Sequence, residues 1–188
     1  MTADELSTKV STLYQNRAAE VIEVFRKGHP KANNFQLWSI ISTAGVRNSA
    51  IRQCQRKAAL EKAPAYNCWW QWQAPILEGR IMAFHSGDLA FFFDNLERCR
   101  AQTGNSPEAR TLADQMSEAW IHFARTGNPN HPGIPNWSPV TPEGSETMIF
   151  DVPSIFRKDP DSEQRRILES HSAQNGAMHN QKSGGESI

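Results

Sequence analysis

Apolar residues recur at spacings of three and four along the first part of the chain, a pattern typical of amphipathic helices. It predicts a first helix from Ala3 to Lys27. A second helix begins at Asn33 or Asn34, either of which can act as its N-cap. Gly45 interrupts this helix, and a third, more polar helix follows from Arg47 to Lys62. The first sixty residues are therefore expected to be helical.

The third predicted helix carries basic residues outside its narrow apolar face. They are Arg47, Arg52, Arg56 and Lys57. A nucleic-acid surface would interleave such charges with aromatic side chains, and this helix has few. We therefore expect its basic face to be solvated surface and not a binding site.

The spacing of apolar residues changes after Pro64. From Ala65 to Ala74 the chain is dense in aromatic residues, which favour strands. The segment lacks clean alternation, so it predicts a buried strand covered on both faces, as in a mostly parallel sheet. Pro75 ends this strand, and a loop bracketed by Gly79 and Gly87 follows.

The second half of the chain predicts further helices and one short strand. Ser106 is a candidate N-cap with Pro107 at the first helical position, and this helix ends at Gly127. The later segments, in order, are a Pro-rich surface loop from Asn128 to Pro142 that carries Trp137, a strand from Thr147 to Asp151, a polar helix from Asp159 to Glu169 and a disordered tail from Ser170 to Ile188.

Helices on either side of a buried strand predict an α/β layered fold. One or two strands cannot form a sheet with both faces covered, so the domain is expected to be incomplete. The expected architecture is helix-rich, with one or two sheet strands.

Composition narrows the possible functions. Lys plus Arg and Asp plus Glu are both 20 among 188 residues, so the formal net charge is zero and no nucleic-acid partner is indicated. No apolar run reaches transmembrane length and Met1 is not followed by a signal peptide, so a cytoplasmic location is the default expectation. The three cysteines form no C-x-x-C pair and are expected to be free thiols. No His/Cys/Asp/Glu cluster or glycine-rich phosphate loop predicts a metal or cofactor.

His85 is the candidate catalytic residue, because it follows a predicted buried strand at a loop position where an α/β enzyme places a general base. Asp88 could bond His85 or cap a short helix over Leu89 to Phe93, and the cap is preferred. Ser86 is not expected to be a nucleophile. The run from Phe91 to Phe93 is expected in the core. The remaining histidines lack such a context and are expected to be structural or exposed; they are His29, His122, His131, His171 and His179.

Three passages together resemble the type B carboxylesterase family, the serine esterases of the α/β-hydrolase fold. Tyr66 to Phe93 contains Ala-Phe-His-Ser-Gly-Asp-Leu, similar to the family's strand-then-histidine signature. Trp120 to Asn130 resembles its C-terminal helix motif Trp-x-x-Phe-Ala-x-x-Gly-x-Pro. Trp137-Ser138-Pro139 followed by Thr147 to Asp151 resembles its last strand. Order and spacing agree from residue 5 to about residue 160.

The resemblance implies hydrolysis of carboxylic esters through a serine acyl-enzyme, with His85 as the family's histidine. In this fold the residues of the triad follow one another as Ser, acid, His, so the Ser and the acid should precede His85. No G-x-S-x-G occurs there, and neither Asp4 nor Glu5 is assigned as the acid. Gly185-Glu186-Ser187 echoes the nucleophile motif but follows His85 and lacks the second glycine.

The expected organisation is therefore the C-terminal part of a carboxylesterase-like α/β-hydrolase domain over residues 1–169, followed by a tail over 170–188. Three functional hypotheses stay open. The chain is an esterase fragment that is inactive alone, or half of a split esterase whose N-terminal half comes from another chain, or a non-catalytic interaction module. The expected substrates are small-molecule carboxylic esters.

Overall fold

A computed structural model describes residues 1–104 and 106–170. The chain divides into two compact units, and each has its own core. One unit comprises Met1–Ser49 together with the described residues from Asp161 onwards, and the other comprises Ala50–Pro160. The predicted tail lies outside the described residues apart from Ser170, as do His171, His179 and the Gly185-Glu186-Ser187 motif.

The first unit is built from helices. They are α1 (Ala3–Tyr14), α2 (Ala18–Gly28), the first part of α3 (Asn34–Ala58) and α7 (residues 162–170). Thr2 and Glu5 form a reciprocal capping box that begins α1. The apolar stripes meet in a core of buried residues: Leu6, Val10, Ala18, Val21, Phe25, Leu37, Ile41, Ile167 and Leu168.

Two helix boundaries differ from the predicted ones. The helix predicted from Ala3 to Lys27 is divided by a 3-10 turn over Gln15–Arg17, where Gln15 has a φ of 51°. Gly45 does not interrupt α3, which is continuous. A single glycine in a helix costs only about 1 kcal/mol relative to alanine, and the packing of the helix outweighs it.

The expected solvation of Arg47 is wrong. Its guanidinium forms a bidentate ion pair with Asp161, with Nε 2.6 Å from Oδ2 and Nη2 2.8 Å from Oδ1. Arg165 also reaches Asp161, at 3.3 Å. The Arg47 and Asp161 side chains are only 11% and 10% exposed. The partner is more than a hundred residues away in the chain, so helix periodicity alone carries no sign of it.

The second unit contains a three-stranded sheet in the order β1–β2–β3. The strands are β1 (Asn67–Trp70), β2 (Thr147–Phe150) and β3 (Ile155–Arg157). β1 runs parallel to β2, whereas β3 is antiparallel to β2. β2 is buried along its whole length and is the central strand. The sequence predicts β2 but not β3, whose three residues are too few to show alternation.

The aromatic strand is shorter and less buried than predicted. β1 covers four residues and stands at an edge of the described sheet. Cys68 is exposed, and Trp69 and Trp70 are half-buried. The aromatic density therefore reflects packing on neighbouring rings and not burial on both faces.

Three helices belong to the same unit as this sheet. They are α4 (Leu89–Phe92), α5 (Arg100–Thr103) and α6 (Pro107–Thr126). The prediction for α6 is confirmed: the Ser106 hydroxyl accepts from the Ala109 amide, and Gly127 ends the helix with a φ of 74°. The core here consists of Ala90, Phe91, Leu96, Ala109, Leu112, Ala113, Met116, Ala119, Trp137, Met148 and Phe150.

The Pro-rich loop contributes to this core, contrary to the expectation that it runs over the surface. Trp137 is buried and makes edge-to-face contacts with Tyr66 and Phe150 at centroid distances of 5.6 and 5.7 Å. The Asn130 side chain accepts from the Trp137 amide and donates to its carbonyl.

Of the helices in the described ranges, none is long and apolar enough to cross a membrane.

Candidate active site

His85 is exposed in a reverse turn between β1 and α4. The Gly87 amide donates to the Phe84 carbonyl at 3.1 Å, which closes the turn around His85 and Ser86. Ser86 has a φ of 64°, a left-handed conformation that side chains other than glycine adopt at a cost. The Leu89 amide then donates to the Ser86 carbonyl at 3.3 Å and leads the chain into α4.

A cluster of aromatic rings lies under this turn. Trp70 contacts Phe84 edge to face at a centroid distance of 6.1 Å and Phe91 at 5.5 Å. Trp72 also contacts Phe91, at 6.0 Å. Phe91 is fully buried, as predicted for the core, but Phe93 is exposed because it lies at the C-terminal end of the short helix α4. The rings connect the end of β1 to the His85 turn.

The segment that leads from β1 to the turn has an unusual backbone. Leu77, Glu78 and Gly79 have consecutive positive φ angles of 51°, 58° and 76°. The Ala74 amide donates to the Met82 carbonyl at 3.3 Å and joins the two ends of this segment. The loop predicted around His85 is therefore ordered by main-chain bonds.

The structure does not bring a triad partner to His85. Within residues 1–104 and 106–170, its imidazole forms no hydrogen bond or ion pair. The predicted capping role of Asp88 is wrong, because its side chain makes no hydrogen bond to the start of α4. Asp88 already has a helical backbone conformation, whereas a capping residue typically has an extended one. In the described part of the chain, no group of three His, Cys, Asp or Glu residues could hold a metal ion.

His131 is the most deeply buried imidazole in the described ranges, with its side chain 0% exposed. Its Nε2 lies 3.0 Å from the Gln115 carbonyl, and its Nδ1 lies 3.1 Å from the Gly133 amide. The Glu118 carboxylate lies 3.1 Å from the same Nδ1. These contacts bind the Pro-rich loop to α6, so His131 is structural. The sequence showed no periodic signal that could reveal this burial.

One surface depression of about 400 Å³ is lined by Arg52, Gln55, Arg56, Ala59 and Pro142. It is shallow and open, and none of its residues belongs to the His85 turn. The Gln55 amide group donates to the Gly144 carbonyl at 2.9 Å and so is already engaged. This depression does not supply a pocket for chemistry at His85.

Comparison with known proteins gives the family. The model of the carboxylesterase family matches residues 3–167. The para-nitrobenzyl esterase of Bacillus subtilis is 38% identical over 88 residues, which are 46% of this chain and 18% of that protein. The phenmedipham hydrolase of Pseudarthrobacter oxydans is 32% identical over 108 residues, covering 53% of this chain and 22% of that protein.

Solved structures similar to this chain are also esterases. An esterase of Clostridium hathewayi described as hydrolysing aliphatic aromatic polyesters matches with a TM-score of 0.68 and 26% identity over 91% of this chain. A Geobacillus stearothermophilus carboxylesterase matches with a TM-score of 0.63 and 30% identity over 79% of it. The chain covers 33% and 31% of these two proteins. It has a partial α/β-hydrolase fold, with a small sheet among many helices, and it belongs to the carboxylesterase family.

Proposed function

We propose that this chain is the C-terminal part of a carboxylic ester hydrolase and that His85 is the general acid–base of its triad. The family match over residues 3–167 is the observation that carries this proposal. The exposed turn supports it, because a general base must reach its substrate from a fixed position. In the complete reaction His85 would take the proton of a serine hydroxyl and return it to the leaving alcohol.

The nucleophile would come from outside this chain. No G-x-S-x-G precedes His85, and the glycines before it are Gly28, Gly45 and Gly79. The oxyanion donors of this fold also belong to segments upstream of the histidine. Because removing the serine alone costs about as much as removing the whole triad, we expect the chain to be inactive alone.

Ester turnover by the purified chain tests this expectation. The chain is incubated with p-nitrophenyl butyrate beside His85→Ala and His122→Ala variants. His122 is the matched control, since it is a partly exposed histidine outside the turn. The three rates should agree within about twofold, because an imidazole without its serine adds little. A rate that falls by about tenfold or more in His85→Ala alone would contradict the expectation of inactivity.

A split esterase is the second candidate. Apolar side chains on α4 and α6 are exposed in the second unit; they are Leu89, Trp120, Ile121 and Phe123, with Phe93 at the end of α4. Such a group of exposed apolar residues is typical of a surface that another polypeptide covers. The chain's coverage of about a third of its structural relatives is consistent with a missing N-terminal half.

Complementation tests the split esterase. The chain is co-expressed with the N-terminal part of the Bacillus subtilis para-nitrobenzyl esterase, ending where the two sequences begin to match. Restored turnover that a fluorophosphonate blocks would support it. His85→Ala should then lower kcat by about 10⁴-fold or more, and His122→Ala should not. Failure of the two polypeptides to associate would count against the split esterase.

A further inference from the structure

Position 87 has no room for a side chain larger than that of glycine. It is buried, and an added Cβ would lie 2.6 Å from Cη2 and 2.9 Å from Cζ3 of Trp70, and 2.9 Å from Cζ of Phe84. Its φ does not fall in the left-handed range, in contrast to Gly79, Gly104 and Gly127. Any residue could adopt the backbone conformation at position 87, but only glycine leaves room for the indole ring.

The indole ring of Trp70 is itself held in place. Trp70 is the last residue of β1, and it pairs in register with Phe150 on the buried strand β2. Its ring also contacts Phe91, which is fully buried. Residues packed in this way resist displacement, because interiors are close-packed and have few voids. The strand pairing and the contact with Phe91 thus hold the indole ring against which Gly87 rests.

Both ends of the His85 turn contact this one ring. Phe84 begins the turn and meets Trp70 edge to face, and Gly87 closes it against the far edge of the indole. His85 and Ser86 lie between these two contacts in the chain. A displacement of His85 along the surface would have to break the contact at Phe84 or the contact at Gly87.

We infer that Trp70 and Gly87 are positioning residues for His85, and that the contact between them fixes the turn that presents the imidazole. The functional meaning of this inference rests on the proposed role of His85 as general base. A misplacement of about 1 Å at a reacting group can cost about a hundredfold in rate. Position 87 must then remain glycine, and position 70 must keep a ring that reaches the turn.

A size-exchange experiment in the chain itself tests the contact. The variants are Gly87→Ala, Trp70→Phe and the two combined, with Gly45→Ala as the matched control because its Cβ meets nothing within 4 Å. Phenylalanine lacks the outer indole atoms that an alanine Cβ would strike. The readouts are the NMR signal of the His85 Cε1–H group and the exchange rates of the backbone amides at positions 87 and 89.

Gly87→Ala should shift the His85 signal and raise both exchange rates about tenfold, while the amides of α6 and the Gly45→Ala control stay unchanged. The combined variant should return both readouts toward those of the wild-type chain, since the two changes compensate in volume. An unchanged His85 signal in Gly87→Ala, or effects that simply add in the combined variant, would overturn the inference. Should Gly87→Ala not fold, Trp70→Phe alone decides, because the gap it opens should raise exchange at position 87 and not in α6.

Turnover in the complemented esterase provides the functional readout. Gly87→Ala should lower kcat about a hundredfold with KM nearly unchanged, because a displaced general base weakens interactions made in the transition state and not those that bind the substrate. Unaltered kcat in a variant whose turn has moved would overturn the positioning role. If the wild-type pair shows no turnover, the proposed function fails, while the NMR and exchange measurements still decide whether the contact fixes the turn.

Discussion

Removing one partner of the ion pair between Arg47 and Asp161 should strongly destabilise the first unit. Asp161 stands immediately before α7 and Arg47 on α3, so the pair connects two segments distant in sequence. The substitution Asp161→Asn keeps the size of the side chain and removes its charge. It leaves Arg47 and Arg165 facing a neutral group in a site that is about nine-tenths closed to water.

The expected magnitude follows from burial. Breaking one partner of a buried ion pair costs about 3–5 kcal/mol, because the remaining charge has lost its counter-ion away from water. Asparagine still offers one carbonyl oxygen as an acceptor, and the Arg47 side chain is 11% exposed. We therefore expect a loss of about 3 kcal/mol in the free energy of unfolding, at the lower end of that range.

Urea unfolding followed by far-ultraviolet circular dichroism measures this loss, and amide exchange in α2 and α7 locates it. Lys27→Gln is the matched control in the same unit. It breaks the Lys27–Glu163 pair, whose side chains are 72% and 53% exposed, and should cost at most about 1 kcal/mol. If Asp161→Asn cost no more than this control, the argument from burial would be refuted.

Two further predictions concern a histidine and a helix cap. Burial lowers the pKa of His29 below 6.5, although the charge of Asp161 opposes the shift. The unfolded chain therefore binds a proton at His29 more tightly than the folded chain does. The contribution of neutral His29 to the free energy of unfolding is fully present above about pH 6.5 and is lost as the pH falls through the folded pKa. His29→Gln should flatten the decline, measured by urea unfolding at about pH 7.5 and 5.5. Ser106→Ala removes the acceptor of the Ala109 amide and should lower the free energy of unfolding by about 1 kcal/mol, whereas Ser106→Asp should restore it.

The sequence predicts an element correctly where interactions between residues close in the chain determine it. The helix α6 has a Ser cap, a Pro at its first position and a terminal glycine, and each feature acts within one helical turn. Gly45 shows the limit of this reasoning, because a glycine that weakens an isolated helix is tolerated when the helix packs along its length. The ion pair of Arg47 shows the same limit, since its partner is distant in sequence.

The sequence predicts the elements around the candidate site but not the contact that positions its histidine. The strand, the loop and the short helix around His85 follow from aromatic density, Pro75 and the apolar run after Asp88. The sequence identifies Gly87 only as one end of the loop that contains His85. The structure gives the reason for this glycine, because its φ lies outside the left-handed range and the space beside it is filled by an indole. A glycine required by a neighbouring ring ties the turn to the sheet, so the position of the imidazole depends on a side chain of β1 and not only on the order of strand and loop along the chain.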